Sequence, residues 1–376
     1  MSKKISNPQK VFVGLSGGVD SAVSAALLLR DGYDVTGVYI KVWQPDWIEC
    51  NWKEERRDAM RVAAHLGIPF VTLDLVKEYK QGVINYMIAE YSSGRTPNPD
   101  VMCNREVKFG GFWKWAKAQG ADFIATGHYS RVEKVKSAKV KAEKGVEFSL
   151  LAGVDKNKDQ SYFLWTLNQK DLKHVLFPVG HLTKPEVRKL AEKFDLPNAE
   201  KKDSQGLCFI GKVDVKEFLK HYVKTEKGNV LNEKGEIIGT HPGALLFTIG
   251  ERHGFTLTVK TPNDQPFYVV GKNMATNTIT VSQKCRKNGH ILESASKTLD
   301  TSKSFSIPIG RVNWVKNTPK IGEEVLIRVR YRQPLVKATI KDSTTLIPSE
   351  KIDAITPGQS LVIYKGEECL GGGIIL

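Results

Sequence analysis

The chain has 376 residues, 41% of them hydrophobic and 26% charged, a length and balance that predict two or three domains with cores of their own. A disordered, collagen-like or disulfide-stapled chain is excluded by the same composition. Lysine and arginine number 56 against 41 aspartates and glutamates, and the formal charge of +15 points to a polyanionic partner, nucleic acid first.

In chain order, Val11–Leu15 reads as a buried strand and Ser21–Arg30 as a helix stopped by Gly32. Asp34–Val42 is a second strand, Trp52–Leu66 a helix with Gly67 and Pro69 beyond it, and Phe70–Leu75 a third strand. Helices over Lys77–Tyr91 and Glu106–Ala118 follow, then a strand over Phe123–Thr126. This alternation predicts an α/β, doubly wound parallel sheet, with ligands at the carboxyl ends of its strands near the switch point. Residues 132–147, rich in lysine, read as a solvated hairpin, and Phe163–Phe194 as helix interrupted at Phe177-Pro178 and Pro185.

After about residue 225 short β-rich runs alternate with turn signals such as Asn232–Gly235, Asn288-Gly289 and Pro357-Gly358. They predict a small central domain and a C-terminal β-barrel. The expected boundaries are 1–212, 213–298 and 299–376.

The longest apolar runs, such as Ala22 to Leu29, fall well short of the about 20 residues that cross a bilayer. Met1 to Lys10 is basic and lacks an apolar run ending in small residues. No membrane association is expected, and a cytoplasmic location is. Five scattered cysteines, Cys50, Cys103, Cys208, Cys285 and Cys369, form no CxxC pair, so no metal site is assigned.

Gly14-Leu15-Ser16-Gly17-Gly18-Val19-Asp20-Ser21 lies between a strand and a helix. Its glycines let the backbone approach an anion, its hydroxyls add donors, and the new helix aims free N–H groups at the loop. It is neither a Walker A loop nor a GxGxxG fingerprint. It resembles the pyrophosphate loop of the ATP pyrophosphatases, which adenylate a substrate; Asp20 would then help hold Mg²⁺ against the triphosphate.

Further motifs narrow the resemblance. Arg95-Thr96-Pro97-Asn98-Pro99-Asp100 leads into Cys103-Asn104 beside a helix start, where a depressed thiol pKa is expected. Thr126-Gly127-His128-Tyr129 closes a strand, and Lys158-Asp159-Gln160-Ser161-Tyr162-Phe163 follows. A second cysteine, Cys208, lies between Gly206 and Gly211 near Lys201, Lys202 and Lys212, a setting that favours a thiolate. Taken alone, a cysteine beside a helix start is more often a structural thiol.

With FPVG, TPGQS and a terminal CLGGGII added in the family's order, the chain resembles the tRNA-specific 2-thiouridylases over nearly its whole length. The resemblance implies ATP-dependent 2-thiolation of the wobble uridine, position 34, in the tRNAs for Lys, Glu and Gln. It implies ATP contacts at Gly14, Leu15, Ser16, Gly17, Gly18, Val19, Asp20 and Ser21, and at Ile40 and Gly127. It implies target-base contacts at Asn98, Pro99 and Asp100, and tRNA contacts at His128, Lys158, Asp159, Gln160, Arg330, Tyr331 and Gln359. Cys103 maps to the nucleophile and Cys208 to the persulfide carrier, with Asp100 a general acid/base or an orienting group. A persulfide donor, a cysteine desulfurase or sulfur-relay protein, is the implied partner. Sulfur transfer would end in a Cys103–Cys208 disulfide or follow release of hydrosulfide.

Two positions depart from the pattern: Ile40 stands where many relatives have Met, and Glu251 where Gln is usual. Trp43, Trp47 and Trp52 read as packing, and Cys50, Cys285 and Cys369 as inert thiols. Two rival functions remain at this level. A small-molecule adenylating enzyme would call for a glutaminase domain or an acid-binding pocket. A non-catalytic RNA-binding protein would have no use for the glycine-rich loop.

Overall fold

A computed structural model describes residues 8–47, 52–136, 146–203, 208, 214–258, 265–283, 285–286, 290–291, 305–352 and 355–376. Four strands expected from the alternation appear in place: β1 (Lys10–Gly14), β2 (Asp34–Lys41), β3 (Phe70–Asp74) and β4 (Phe123–Ala125). With β7 (Val175–Leu176) they make one five-stranded sheet in the order β3-β2-β1-β4-β7, all neighbours parallel. The chain steps outward from β1 through β2 to β3, then returns to the other side of β1, so the switch point falls between β1 and β4.

Helices cover both faces. Val11 and Val13 of β1, with Leu15 just after it, point to a core shared with α1 (Val19–Arg30), α2 (Trp52–Leu66) and α8 (Lys184–Lys193). On the other face, Phe12, Val38 and Ile40 meet a longer core. That core includes α3 (Val76–Tyr79), α4 (Asn85–Ser92) and α6 (Phe112–Ala118). Two of these junctions are wound more widely than an α-helix. A π-helical segment, Lys80–Ile84, joins α3 to α4, and another, Cys103–Gly111, joins α5 (Pro99–Met102) to α6.

The expected helix at Glu106–Ala118 therefore begins earlier. The Asn98 side chain accepts the Val101 N–H and Pro99 fills the first turn, where its missing N–H costs nothing. The Phe163–Phe194 reading is corrected more strongly. A 3₁₀ turn at Ser161–Phe163, α7 (Gln169–Leu172), β7 and α8 replace one interrupted helix. An Asn168–Asp171 capping box starts α7, and the short Val175–Leu176 run is claimed by the open edge of β4.

The lysine-rich hairpin forms as β5 (Ser130–Lys136) and β6 (Val146–Ala152), with its tip outside the described residues. It is more than a solvated hairpin, because β6 pairs onward with a strand from the far end of the chain. The central part holds α9 (Val215–Lys220) and a five-stranded sheet: β8 (Gly228–Leu231), β9 (Ile237–His241), β10 (Thr256–Leu257), β11 (Tyr268–Asn273) and β12 (Thr278–Ser282). A small pair follows, β13 (Cys285–Arg286) with β14 (His290–Ile291).

The C-terminal part closes as a six-stranded barrel of β15 (Ile307–Trp314), β16 (Glu324–Arg328), β17 (Val336–Asp342), β18 (Thr345–Pro348), β19 (Ser360–Lys365) and β20 (Glu368–Ile375). Its order is β15-β18-β17-β16-β19-β20, and pairing of β20 back to β15 closes it. Ile307, Val325, Ile327, Ile340 and Ile363 fill its interior. At its start β20 also takes β6 as a neighbour, through Glu368↔Leu151 and Cys369↔Leu150, so the barrel and the α/β domain share one run of strands.

Candidate active site

The glycine-rich loop turns from β1 into α1 at the switch point. Gly17 has φ +79°, and any Cβ there would lie 2.6 Å from the Glu55 carbonyl oxygen, so glycine is required. Gly18 caps α1 without a side-chain acceptor, which leaves the first-turn N–H groups uncommitted. Ser16 and Ser21 place their hydroxyl oxygens 3.3 Å apart over this turn. Gly127, after β4, packs so closely that a Cβ would sit 2.7 Å from Ser21 N. Ile40 is buried at the end of β2. The residues expected to meet ATP thus line one end of β1, β2 and β4, and a loop of open N–H groups at a 12-residue helix fits a polyphosphate.

Asp20 supplies the carboxylate of the loop. Its Oδ1 accepts the Tyr129 hydroxyl and the Lys184 ammonium, each at 2.7 Å. Lys184 also pairs with Asp203 at 2.7 Å, and Asp203 binds Lys158 at 2.6 Å and Arg188 at 2.8 Å. Burial raises the Asp203 pKa, but Lys158 and Lys184 outweigh it and hold the carboxyl at about 2. Among the described residues no group of three acidic, His or Cys side chains gathers as a metal cage. One carboxylate beside the phosphates fits a Mg²⁺ ion held mainly by triphosphate oxygens.

The two motif cysteines, 105 positions apart, meet with their sulfurs 3.4 Å from each other. Cys103 is fully buried at the start of the π-helical segment, and Cys208 is partly exposed. The Cys208 main chain is held at both ends, its N–H donating to Asp100 Oδ1 at 3.1 Å and its carbonyl accepting Tyr79 Oη at 2.8 Å.

The expected depressed pKa falls on the other sulfur. Burial pushes the Cys103 thiol well up, because a thiolate there would lose its water. Cys208 is lowered by the hydrogen bond that Cys103 donates, and further by the Lys108 ammonium. That cation corrects the expectation from the sequence: Lys201 is committed to Asp58 at 2.7 Å, and Lys108 stands at the sulfur instead. Gly206, Gly211 and Lys212, like Cys50, lie outside the described residues. Burial also raises the Asp100 carboxyl, against the opposing pull of the Cys208 N–H and Lys108.

The expected tRNA contacts all have partners within the fold, Lys158 through Asp203 among them. Several are engaged within the fold: Asp159 is buried and accepts the N–H groups of Gly153 and Ser161, both at 3.0 Å, and Gln160 accepts the Tyr129 N–H. Buried His128 bonds Thr126 through Nδ1 at 2.7 Å and faces Lys108 at 3.4 Å through Nε2. Arg330 donates to the Ile249 carbonyl and to Thr356 Oγ1, tying the barrel to the central part. Tyr331 packs on Phe163, with ring centroids 4.5 Å apart. Gln359 binds the Thr96 and Pro97 carbonyls, so the barrel props the loop that carries Asn98, Pro99 and Asp100.

Other residues settle simply. Glu251 accepts the Thr248 N–H and pairs with Lys216. Trp43 and Trp47 pack on Phe218 of α9, and Cys369 is buried in β20 with its thiol pushed up to about 12 by that burial. Sequence reading missed Lys108, Tyr79, Tyr129 and Lys184. The first two sit at or beside π-helical segments, and no motif marks the last.

A parallel sheet with an anion loop at its switch point defines an α/β nucleotide-binding protein, and its fold brings two distant cysteines face to face. Residues 9–212 match the family model described as a tRNA methyl transferase HUP domain. Residues 216–283 match a tRNA methyl transferase PRC-barrel domain, and 304–375 an aminomethyltransferase beta-barrel domain. The tRNA-specific 2-thiouridylase MnmA of Streptococcus thermophilus is 43% identical over 97% of this chain and 95% of its own. The protein of that name from Streptococcus mutans is 42% identical over the same shares. The chain belongs to the tRNA-specific 2-thiouridylase family. Among solved structures, the U34-tRNA thiolase NcsA of Methanococcus maripaludis overlaps at TM-score 0.33 and 18% identity, over 52% of this chain and 60% of that one. No helix among the described residues is long and apolar enough to cross a membrane.

Proposed function

We propose that the protein thiolates C2 of the wobble uridine, position 34, in the tRNAs for Lys, Glu and Gln, using ATP and a persulfide donor. The observation that carries the reading is the 3.4 Å approach of a buried thiol to a thiolate-prone sulfur, in a domain that also carries an anion loop. Uridine O2 attacks the α-phosphorus of ATP, whose phosphates Mg²⁺ would neutralise, and pyrophosphate leaves as N3 gives up its proton. The AMP so attached turns O2 into a leaving group, since a bare oxide leaves poorly. The Gly14–Ser21 loop grips the phosphates, and Asn98, Pro99 and Asp100 position the base.

The Cys208 thiolate takes the outer sulfur of the donor's persulfide, and the donor leaves as a thiolate. The terminal sulfur of Cys208 then bonds to C2, and AMP departs with the C2–O2 electron pair. Asp100, three residues before Cys103 on the same helix, takes the Cys103 proton. The Cys103 sulfur attacks Cys208 Sγ, and the bond from Cys208 to the transferred sulfur breaks. That sulfur keeps the electron pair and becomes the thione as N3 regains its proton. A Cys103–Cys208 disulfide remains for a cellular thiol to reduce. In the variant route Cys103 attacks first and the hydrosulfide released adds to C2, with the same final balance.

The +15 charge would give mostly backbone-directed, salt-dependent tRNA affinity. A cytoplasmic location, and a cysteine desulfurase or sulfur-relay protein as supplier, belong to the same proposal. The test is nucleoside analysis of tRNA incubated with protein, ATP, Mg²⁺ and a persulfide source. 2-Thiouridine confined to position 34 and dependent on ATP is expected; unmodified tRNA would overturn the reading.

A further inference from the structure

We propose that Lys108 is a further catalytic residue, its ammonium holding the anionic sulfur of Cys208 against Cys103 through loading and transfer. The proposal rests on the thiolation reading above.

The helix geometry comes first. An α-helix advances about 100° per residue, so a residue five positions after Cys103 would point about 140° away from it. The segment Cys103–Gly111 is π-helical, and its wider i→i+5 turn brings position 108 back over position 103. The sequence permits that winding: a Cβ at Gly110 would lie 2.7 Å from the Arg105 carbonyl oxygen, five residues earlier. On the opposite side, a Cβ at Gly82 would fall 2.8 Å from Cγ of Glu106, so the other π-helical segment seats the turn from outside.

The charge balance comes second. A cation in such a place needs an anion. The groups facing Lys108 are Asp100, Cys103, Cys208 and His128, with Tyr79 beyond the sulfurs. His128 is held neutral by burial among Phe109 and Phe177, so its Nε2 accepts from the ammonium and adds no charge. Cys103 is held as a thiol, and Asp100 directs its Oδ1 at the Cys208 N–H, 3.1 Å away. The sulfur of Cys208, to which Lys108 donates and whose thiolate it favours, is the anion set against the ammonium on the side of the facing thiol. A persulfide on Cys208 carries the same single charge and stays within reach of the flexible ammonium.

The test is the pH dependence of Cys208 alkylation by iodoacetamide, read by peptide mass spectrometry, in the wild type, Lys108→Gln and Lys108→Arg. The wild type should react with an apparent pKa below the ordinary thiol value. Lys108→Gln should raise it by about one unit or more, with a tenfold or greater loss of reactivity at pH 7. Lys108→Arg should restore most of both. An ordinary apparent pKa in the wild type overturns the proposal whether or not a variant folds, and so does a folded Lys108→Gln with an unchanged profile. Nucleoside analysis separates the two readings. Wild type without thiolation defeats the function while the alkylation profile still judges Lys108; full thiolation by Lys108→Gln defeats the role of Lys108 alone.

Discussion

Gln359 reaches from the barrel to Thr96, donating its amide to the Thr96 carbonyl at 3.1 Å and to that of Pro97 at the same distance. The next turn reinforces it, because Thr96 N–H donates to the Pro357 carbonyl at 2.8 Å and a Cβ at Gly358 would strike the Thr96 backbone. The loop that aims Asp100 is thus set by a domain that carries none of the cysteine chemistry. Each such hydrogen bond contributes about 1 kcal/mol, so Gln359→Ala should slow thiolation by about tenfold. ATP affinity should stay as it is. A variant that thiolates at the wild-type rate would show that the loop is rigid without the prop.

The phosphate loop should matter for chemistry and hardly for tRNA binding. Ser16→Ala or Asp20→Ala is expected to lower thiolation by about 10²-fold, the scale seen when a preorganised electrostatic contact is removed. Filter binding of tRNA should move little. Adenylation of tRNA at the wild-type rate in either variant would remove the loop from the mechanism.

The cysteines should separate cleanly by substitution. Cys208→Ser should abolish sulfur transfer yet keep ATP-dependent activation of the uridine. Cys103→Ser should still load persulfide sulfur on Cys208 and fail to deliver it. Cys369→Ser, in the barrel, should remain active. Near-normal thiolation by either of the first two would overturn the paired mechanism.

Arg330 is tied to Ile249 and Thr356, which changes what its removal should do. Hydrogen bonds to a charged group are worth about 1.5–3 kcal/mol, so Arg330→Met should lower the melting temperature. If the residue also meets phosphates, the salt slope of tRNA affinity should shrink by about one. An unchanged melting curve would contradict the interdomain tie.

The Asp203 network fixes a pH window. Its carboxyl, at about 2, lies below the ordinary value, so the folded form prefers the ion. The stabilisation is present above about pH 4 and is lost as pH falls through about 2. Lys184→Met should narrow this acid tolerance. An acid-unfolding midpoint identical to the wild type would show that the network is idle.

The parallel sheet, the anion loop and the barrel were legible because each is written locally: β1 is an apolar run, SGGVDS punctuates it, and turn residues space the late strands. The meeting of Cys103 with Cys208 came from family likeness, since no local pattern joins residues so far apart. Lys108 was hidden for a physical reason. Helical periodicity assumes 3.6 residues per turn, and on that wheel it faces away from Cys103. Asp159 and Gln160 were equally illegible in structural terms, since the motif does not tell that their side chains bond internal backbone groups. The pairing of β6 with β20 was likewise invisible, as β6 alone looks like half of a solvated hairpin.

That pairing bears on how the chain is made. During synthesis the α/β segment leaves the ribosome first, and β6 then has β5 on one side and nothing on the other. Its second neighbour, β20, is translated much later and also closes the barrel between β19 and β15. Until then β6, β15 and β19 each carry a bare strand edge, the kind that recruits other chains. A frameshift or proteolytic cut before Glu368 would leave all three edges open, so such shortened chains are expected to be cleared or to aggregate.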